Sequence, residues 1–494
     1  MDSITSARMR AIDANCSYLG LKGIQLMENA GAAIAREVTY NVSNGNVLIV
    51  GGRGNNGGDG FVAARHLSAL KDLKVKIILT GKPDTIRTED AKANFKLLEH
   101  CDIEDIRVFD NSPMTHDWFK SADVIIDALL GTGVRGRIRE PESTLIELIN
   151  SSNAKVIAVD TPSGIDPDTG AVSGKAVKAD ITLTFHRMKT GLESSGAKEF
   201  TGKIKVIPIG VCRDAEVHVG RGDLEQITRR NPDSHKGDSG RILIIGGGAY
   251  SGAPALAATA SLRTGADIVT IAAPKSVAKT IASFSPNLIV KELTSDRLCM
   301  EDIPILEELI KEHDVTVMGM GLGRDKKTLE AVKQIIPLCN KLVLDADALY
   351  KLEFPTPTDC DIIITPHAGE FRKLAGSIPE APDDKINFVT KFSLQKNVTT
   401  LLKGSTDIIS DGKQYRLNKT GNPGMTVGGT GDVLAGIVGA LFARCDAIDA
   451  AGNGAFISGV AGDLVFVEKG YGLLATDIIE KIPEAIMRGG TKHD

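Results

Sequence analysis

The sequence predicts an α/β protein of two unlike domains, each built on a parallel sheet, and three observations predict it. Short runs of Val, Ile and Leu alternate with helix-period patterns and often end in glycine, as strands joined by crossover helices do. The 494 residues exceed one ordinary domain. A polar stretch at 212–239, rich in charge, Gly and Asp and holding Pro232, separates two halves whose motifs differ. We read 1–213 as the first domain, 214–232 as a linker and 233–494 as the second domain, a fusion rather than a duplication.

The elements follow in order. In the first half the apolar, β-branched runs 46–50, 74–80, 123–128, 155–160 and 181–185 read as strands. In the second half the runs 241–245, 268–272, 315–318, 341–345, 361–365 and 399–403 do the same. Asp411-Gly412 lies between two β-prone runs within 407–417 and predicts a hairpin. Beyond it, the apolar run 433–443 predicts a helix behind a glycine turn.

Composition excludes several classes. Lys and Arg number 58 against 63 Asp and Glu, a formal net charge of -5, which gives no basic footprint for nucleic acid or an anionic membrane. The seven cysteines (Cys16, Cys101, Cys212, Cys299, Cys339, Cys360, Cys445) form no CxxC pair and no zinc-spaced cluster, so inert thiols in a reducing cytoplasm are expected. The first 15 residues lack a signal-peptide core and no uninterrupted run reaches membrane-span length, so neither export nor a membrane partner is expected.

The chemistry-bearing stretch is NPGMTVGGTGDVLAG at 422–436. Gly428, Gly429, Thr430 and Gly431 can present backbone N–H groups to an anion at a helix start, where roughly half a positive charge resides. Asp432 falls in the first turn, where a carboxylate beside bound phosphate can deprotonate an attacking hydroxyl. Taken alone, GTGD fits a helix cap equally well.

In the first half VLIVGGRGNNGGDG carries a strand through glycines into a helix, the place where open α/β sheets bind ligands. Its spacing is not GxGxxG, and no acid closes the second strand about 20 residues on, so Asn55, Asn56 and Asp59 need a use other than that of a dehydrogenase loop. DALLGTGVRGR from Asp127 and VDTPSGID with Asp160 and Ser163 put two more polar loops at strand ends. Asp160 there is a candidate for proton transfer, although a turn role would also suit it. Asn56, Asp127 and Ser163 are hard oxygen donors, suited to an alkali or alkaline-earth cation.

These motifs carry a resemblance that covers nearly the whole chain. MENAG (27–31), GNNGGDG (54–60), DALLGTG (127–133) and DTPSGID (160–166) resemble the NAD(P)H-hydrate epimerase, or YjeF N-terminal, family. IIGGGAYSGAPAL (244–256), GMGLGR (319–324), DADAL (345–349), TPHAGEF (365–371), LKGSTD (402–407) and the GTGD segment resemble the ribokinase-like NAD(P)H-hydrate dehydratases, and the fused order resembles the bifunctional nicotinamide nucleotide repair enzymes. The resemblance implies a Rossmann-like three-layer sandwich followed by a ribokinase-like domain. It implies that the first half interconverts the R and S epimers of C6-hydrated NADH or NADPH, and that the second dehydrates the S epimer with ADP as phosphoryl donor, releasing AMP and phosphate.

By the same resemblance the epimerase substrate falls to Asn55, Asn56, Gly57, Gly58, Asp59, Gly131, Thr132, Gly133, Val134, Arg135, Gly136, Arg137 and Asp160, with Asp160 catalytic. Potassium falls to Asn56, Asp127 and Ser163. In the second half the hydrate falls to Ala253, Gly321, His367 and Asp432, with Asp432 as base, and the nucleotide to Lys403, Gly404, Ser405, Thr406, Gly429, Thr430 and Gly431. Magnesium with the nucleotide, a homo-oligomer and a cytoplasmic protein are expected as well. Lys189 is a possible assistant to Asp160, against the more usual solvated loop lysine. The alternatives are a ribokinase-like small-molecule kinase and, for the first half, a dinucleotide-binding module without catalysis.

Overall fold

The computed structural model describes residues 3–131, 136–172, 174–227, 233–356 and 359–490. It divides into two compact units, Met1–Glu216 and Val217–Asp494. Helices occupy both sides of this division, Arg213–Val217 and Arg221–Ile227, within the stretch that reads as a linker.

The first unit is organised by a seven-stranded parallel sheet. From edge to edge its strands are Asp105–Val108, Leu73–Leu79, Gly45–Gly51, Val124–Ala128, Lys155–Val159, Ile181–Phe185 and Lys203–Ile207. Period-two alternation explains the two covered faces. Val47 and Ile49 enter one hydrophobic core, and Leu48 and Val50 enter the core on the opposite face. The chain runs outward from Gly45–Gly51 in one direction and then returns to start Val124–Ala128 beside it, so the order reverses between these two strands. A crevice opens at such a reversal, outside the carboxyl ends of the strands.

The second unit repeats the principle on nine strands: Ile289–Glu292, Ile268–Ala273, Arg241–Ile245, Val315–Met318, Lys341–Leu344, Asp361–Ile364, Thr399–Leu402, Asp407–Ser410 and Tyr415–Asn418. All pairings are parallel up to Thr399–Leu402, and the last two strands are antiparallel, with Asp407 opposite Asn418. Ile242 and Ile244 face one core, and Leu243 and Ile245 the other. The helix Thr430–Phe442 lies close on this framework because glycine stands where a side chain would collide. A Cβ at Gly436 would sit 2.1 Å from the Ala257 carbonyl oxygen, and one at Gly439 2.4 Å from Val317.

One helix, within Ala447–Gly472, is long and apolar enough to cross a membrane by length and composition, with a mean hydropathy of 1.4 over 18 residues, yet 72% of that window is buried inside the protein. Interspersed Asn and Asp break its apolar run in the sequence, and the helix Ala447–Lys469 packs all round as a core helix instead of showing one polar face.

Candidate functional site

In the first unit the strand ends and four helices, Ser6–Tyr18, Gly23–Asn41, Asn55–Ser68 and Glu89–Leu97, line a cavity of about 340 Å³, with Asp13, Asn55, Asn56, Asp59, Asp160 and Lys189 among its residues. Asp160 follows Lys155–Val159 in a left-handed conformation, φ 63°, and its amide donates to the Leu183 carbonyl at 2.8 Å. That turn aims its carboxylate at Lys189. Lys189 Nζ donates to Asp160 Oδ1 at 2.6 Å, to the Phe185 carbonyl at 3.0 Å and to Thr184 Oγ1 at 3.3 Å. The expectation of a solvated loop lysine therefore fails. Lys189 lies in a short strand, Met188–Lys189, that pairs with Ser3–Ile4, and only 1% of its side chain is exposed.

The residues GNNGGDG are mostly helix rather than loop. Helix Asn55–Ser68 begins at the first asparagine, capped by Gly54. Its glycines face protein: a Cβ at Gly57 would lie 2.0 Å from the Gly52 carbonyl oxygen, one at Gly58 2.7 Å from Met27 and one at Gly60 2.9 Å from Ala128. They seat the helix start against the sheet, so that Asn55, Asn56 and Asp59 reach the cavity. Gly131 lines it too, whereas Gly136 and Arg137 are exposed and lie outside its lining. Thr132, Gly133, Val134 and Arg135 lie outside the described residues.

Burial sets the acids apart. Desolvation pushes Asp59 well above the usual carboxylate range, helped by the negative charges of Asp160 and Asp13 and opposed by Lys189. Asp13, on helix Ser6–Tyr18, is raised to about 7 by desolvation, then by the Asp160 charge, with Lys189 acting the other way. Sequence reasoning missed Asp13, because no motif surrounds it.

Asp127 closes the neighbouring strand and is fully buried. Its carboxylate accepts from Ser163 Oγ at 2.6 Å, Ser163 N at 2.8 Å and Leu129 N at 3.3 Å. Desolvation raises it to about 6 against those hydrogen bonds. The Leu130 carbonyl oxygen lies 3.3 Å from Ser163 Oγ, and the buried Asn56 Nδ2 has no hydrogen-bond partner. Among the described residues no group of three or more His, Cys, Asp or Glu could hold a metal ion.

The second unit assembles its site from three adjacent strand ends and one helix start. Asp345, Thr365 and Lys403 each follow directly on a strand, Lys341–Leu344, Asp361–Ile364 and Thr399–Leu402. Asp345 Oδ1 accepts from Lys403 Nζ at 3.0 Å and from Thr365 Oγ1 at 2.8 Å. Above them Gly429, φ 96°, turns the chain into Thr430–Phe442. A Cβ at Gly431 would stand 3.3 Å from Lys403 Nζ, closer than ordinary contact, and 3.9 Å from Asp345 Oδ2, so the bare glycine lets the helix N-terminus, Lys403 and Asp345 meet at one spot. Asp432 is raised to about 7 by desolvation, then by the charge of Asp345, with Lys403 lowering and Asp347 raising it. For Lys403 itself desolvation favours the neutral amine, but the Asp345 carboxylate and then Glu370 and Asp432 outweigh it and hold the ammonium above its usual range.

Around this centre the other expected residues divide. Gly321, φ 70°, lies 3.6 Å from Ala253 at its would-be Cβ, so these two adjoin. His367 caps helix Ala368–Ala375, its Nδ1 accepting from Gly369 N at 2.9 Å, and the ring is exposed. Lys403 points to the helix N-terminus, unlike the rest of its loop, where Gly404 N donates to Asp407 at 2.9 Å. Thr430 Oγ1 is occupied by the Met425 and Val427 carbonyl oxygens, which leaves its backbone N–H for a ligand. Asp345 and Thr365 stood inside DADAL and TPHAGEF without being singled out; their position immediately after a strand was the available signal.

Comparison with known proteins bears on both units. Residues 23–191 match the family described as YjeF-related protein N-terminus, and residues 242–484 match the family described as NAD(P)H-hydrate dehydratase. The bifunctional NAD(P)H-hydrate repair enzyme of Archaeoglobus fulgidus is 46% identical over 99% of this chain and 99% of its own length. Its counterpart in Pyrobaculum aerophilum is 43% identical over the same shares. The ADP/ATP-dependent NAD(P)H-hydrate dehydratase of Bacillus subtilis, solved with ATP and magnesium, overlays 55% of this chain and 99% of its own at a TM-score of 0.49 and 24% identity.

Proposed function

The chain belongs to the bifunctional NAD(P)H-hydrate repair enzymes, an epimerase joined to a dehydratase, and we propose that Asp160 and Asp432 are the groups at which the two reactions run. The observation that carries the dehydratase assignment is the convergence of Asp432, Lys403 and the Gly431 amide on one spot. ADP brings its β-phosphoryl group there. Asp432 takes the proton of the C6 hydroxyl, the hydroxyl oxygen bonds to phosphorus, and AMP leaves. Phosphate then departs with the C6–O electron pair as a proton is lost from C5, which restores the dihydronicotinamide ring. Lys403 and the amides of Gly429, Thr430 and Gly431 hold the transferring phosphoryl; loss of one such donor costs about 3–4 kcal/mol in transition-state stabilisation. Ser405 and Thr406 line the nucleotide's path, and Ala253, Gly321 and the exposed His367 ring contact the hydrate. Asp347 and Glu370 are the nearby carboxylates that would hold magnesium together with the phosphates, whose negative charge it would offset.

In the first unit Asp160 exchanges the proton of the C6 hydroxyl, with Lys189 fixing its carboxylate. Asp127, Ser163 and Asn56 would hold potassium, which would offset the charge of the buried Asp127 carboxylate. A cation beside a fully buried carboxylate supplies the charge that burial denies it, and turning the Asn56 amide replaces its unpartnered N–H with an oxygen donor. The protein works as a homo-oligomer in the cytoplasm. The kinase alternative would release a phosphorylated product, whereas this reading predicts free phosphate and reduced cofactor. Mixing the protein with R/S NADH hydrate, magnesium and potassium and following the reduced-nicotinamide absorbance decides it. Full recovery with ADP is expected. Recovery of only the S share would reduce the first unit to a binding module, and no recovery with ADP or ATP would favour the kinase.

A further inference from the structure

The cavity of the first unit holds more acid than one proton exchange at a hydroxyl requires. Asp13, Asp59 and Asp160 line it together with one buried cation, Lys189, whose nearest acceptor is Asp160 at 2.6 Å. Asp13 reaches it from a different element, helix Ser6–Tyr18, and among the described residues none donates a hydrogen bond to its carboxyl. Asp13 is half-buried and lines the cavity, so its carboxyl is placed to meet a ligand there.

The substrate chemistry gives it a task, if the epimerase reading holds. C6 of the hydrate carries a hydroxyl and is bonded to ring nitrogen N1, so its configuration is lost when the C6–N1 bond opens and is reset when the bond closes on the other face. Opening requires a base at the oxygen and an acid at the nitrogen. We propose that Asp13 is the second catalytic residue of the epimerase, donating a proton to N1 while Asp160 removes the hydroxyl proton. The O–H pair becomes the second bond of a C6 aldehyde, the C6–N1 pair goes to nitrogen, and nitrogen takes the proton of Asp13. Rotation about C5–C6 turns the aldehyde over. Nitrogen then attacks the opposite face, Asp13 recovers its proton and Asp160 returns one to oxygen, so nothing is consumed.

The surroundings suit a proton donor near neutrality. Besides Asp160 and Lys189, the charged groups lining the cavity with Asp13 are Arg10, Asp59 and Asp90. Burial and the Asp160 charge raise Asp13 to about 7, so it carries its proton in much of the protein at neutral pH. Asp59, which burial chiefly raises well above the usual carboxylate range, lines the cavity with Asp13.

The test uses the full chain with excess ADP, magnesium and R-hydrate of NADH, with the dehydratase converting each S epimer to the absorbing product. Asp13→Asn should slow R-hydrate consumption by about 10²–10⁴-fold, leave S-hydrate recovery at the unaltered rate, and abolish the decline in epimerase rate above about pH 7. Asp13→Glu, which keeps a carboxyl, should recover at least a tenth of the unaltered rate together with that decline. Unaltered R-hydrate turnover in Asp13→Asn overturns the proposal. So does an Asp13→Glu protein as slow as Asp13→Asn, since the loss would then be structural. Failure of the unaltered chain to consume R-hydrate is a separate result, which removes the epimerase reading itself.

Discussion

Replacing Asp432 by Asn should destroy the dehydratase and stabilise its fold in one step, because the property that makes the carboxylate a base also strains the folded state. Burial chiefly, and the Asp345 charge next, raise Asp432 from 3.8 to about 7. An acid whose folded pKa lies above its unfolded one keeps full stability below the unfolded value and loses it as pH rises through the window from about 4 to about 7. A shift of about 3 units at about 1.4 kcal/mol each sets roughly 4 kcal/mol as the upper bound on that loss, and water on the open side of the group reduces it. The amide has no charge to desolvate. Asp432→Asn should therefore denature at higher urea concentration than the unaltered protein at pH 8, with the difference vanishing near pH 4. Its S-hydrate dehydration should fall about 10²–10⁴-fold with R-to-S epimerisation intact. In the unaltered protein the same titration makes dehydration climb about tenfold between pH 6 and pH 8, as the ionised fraction goes from roughly a tenth to nine-tenths. A urea midpoint that is unchanged or lowered at pH 8, or a dehydration rate flat across that range, would refute the reasoning.

Lys189→Met leaves the Asp160 carboxylate in the cavity without its cation; urea unfolding of the first unit should report a loss of about 3–5 kcal/mol, and the double change with Asp160→Asn should recover part of it. Exchange of potassium for lithium should slow R-to-S conversion several-fold in the unaltered protein, and Asp127→Asn should remove that ion dependence, as read from hydrate consumption in the two salts. Gly436→Ala places a methyl 2.1 Å from the Ala257 carbonyl oxygen, so thermal melting should show a loss of about 1–3 kcal/mol and dehydration should weaken as Asp432 is displaced.

What was legible in the sequence follows burial. Every strand covered on both faces was readable as a continuous apolar run: Gly45–Gly51, Val124–Ala128 and Arg241–Ile245 lie within a residue of their expected limits. Among the strands that escaped notice, Asp105–Val108, Lys203–Ile207 and Ile289–Glu292 lie at sheet edges, where charged residues interrupt the apolar run and no side chain is fully buried, while Ser3–Ile4 and Met188–Lys189 are two residues each, too short for a pattern. The same logic governs the sites. Asp160 and Asp432 sit in local motifs and could be singled out. Lys189 could be named as an assistant to Asp160 but not told from a solvated lysine, and Asp13 comes from a segment without a motif; only tertiary packing brings the two to the cavity. His367 shows the opposite case, since its ring caps its own helix, which its place just before Ala368–Ala375 already allowed.

The two units share no motif, yet they arrive at one electrostatic device. In each, a lysine buried at a sheet's carboxyl edge donates to an aspartate that follows directly on a strand, Lys189 to Asp160 at 2.6 Å and Lys403 to Asp345 at 3.0 Å. In each, a further aspartate from a helix stands in the same low-dielectric space and is raised to about 7, first by desolvation and second by the aspartate of the ion pair. Burial raises the helix acid most, the aspartate of the ion pair adds to the rise, and the lysine opposes it. A proton-transfer group poised near neutrality needs both charges at hand. The device suits both a carbinolamine that must open and close and a hydroxyl that must be deprotonated as it attacks phosphorus.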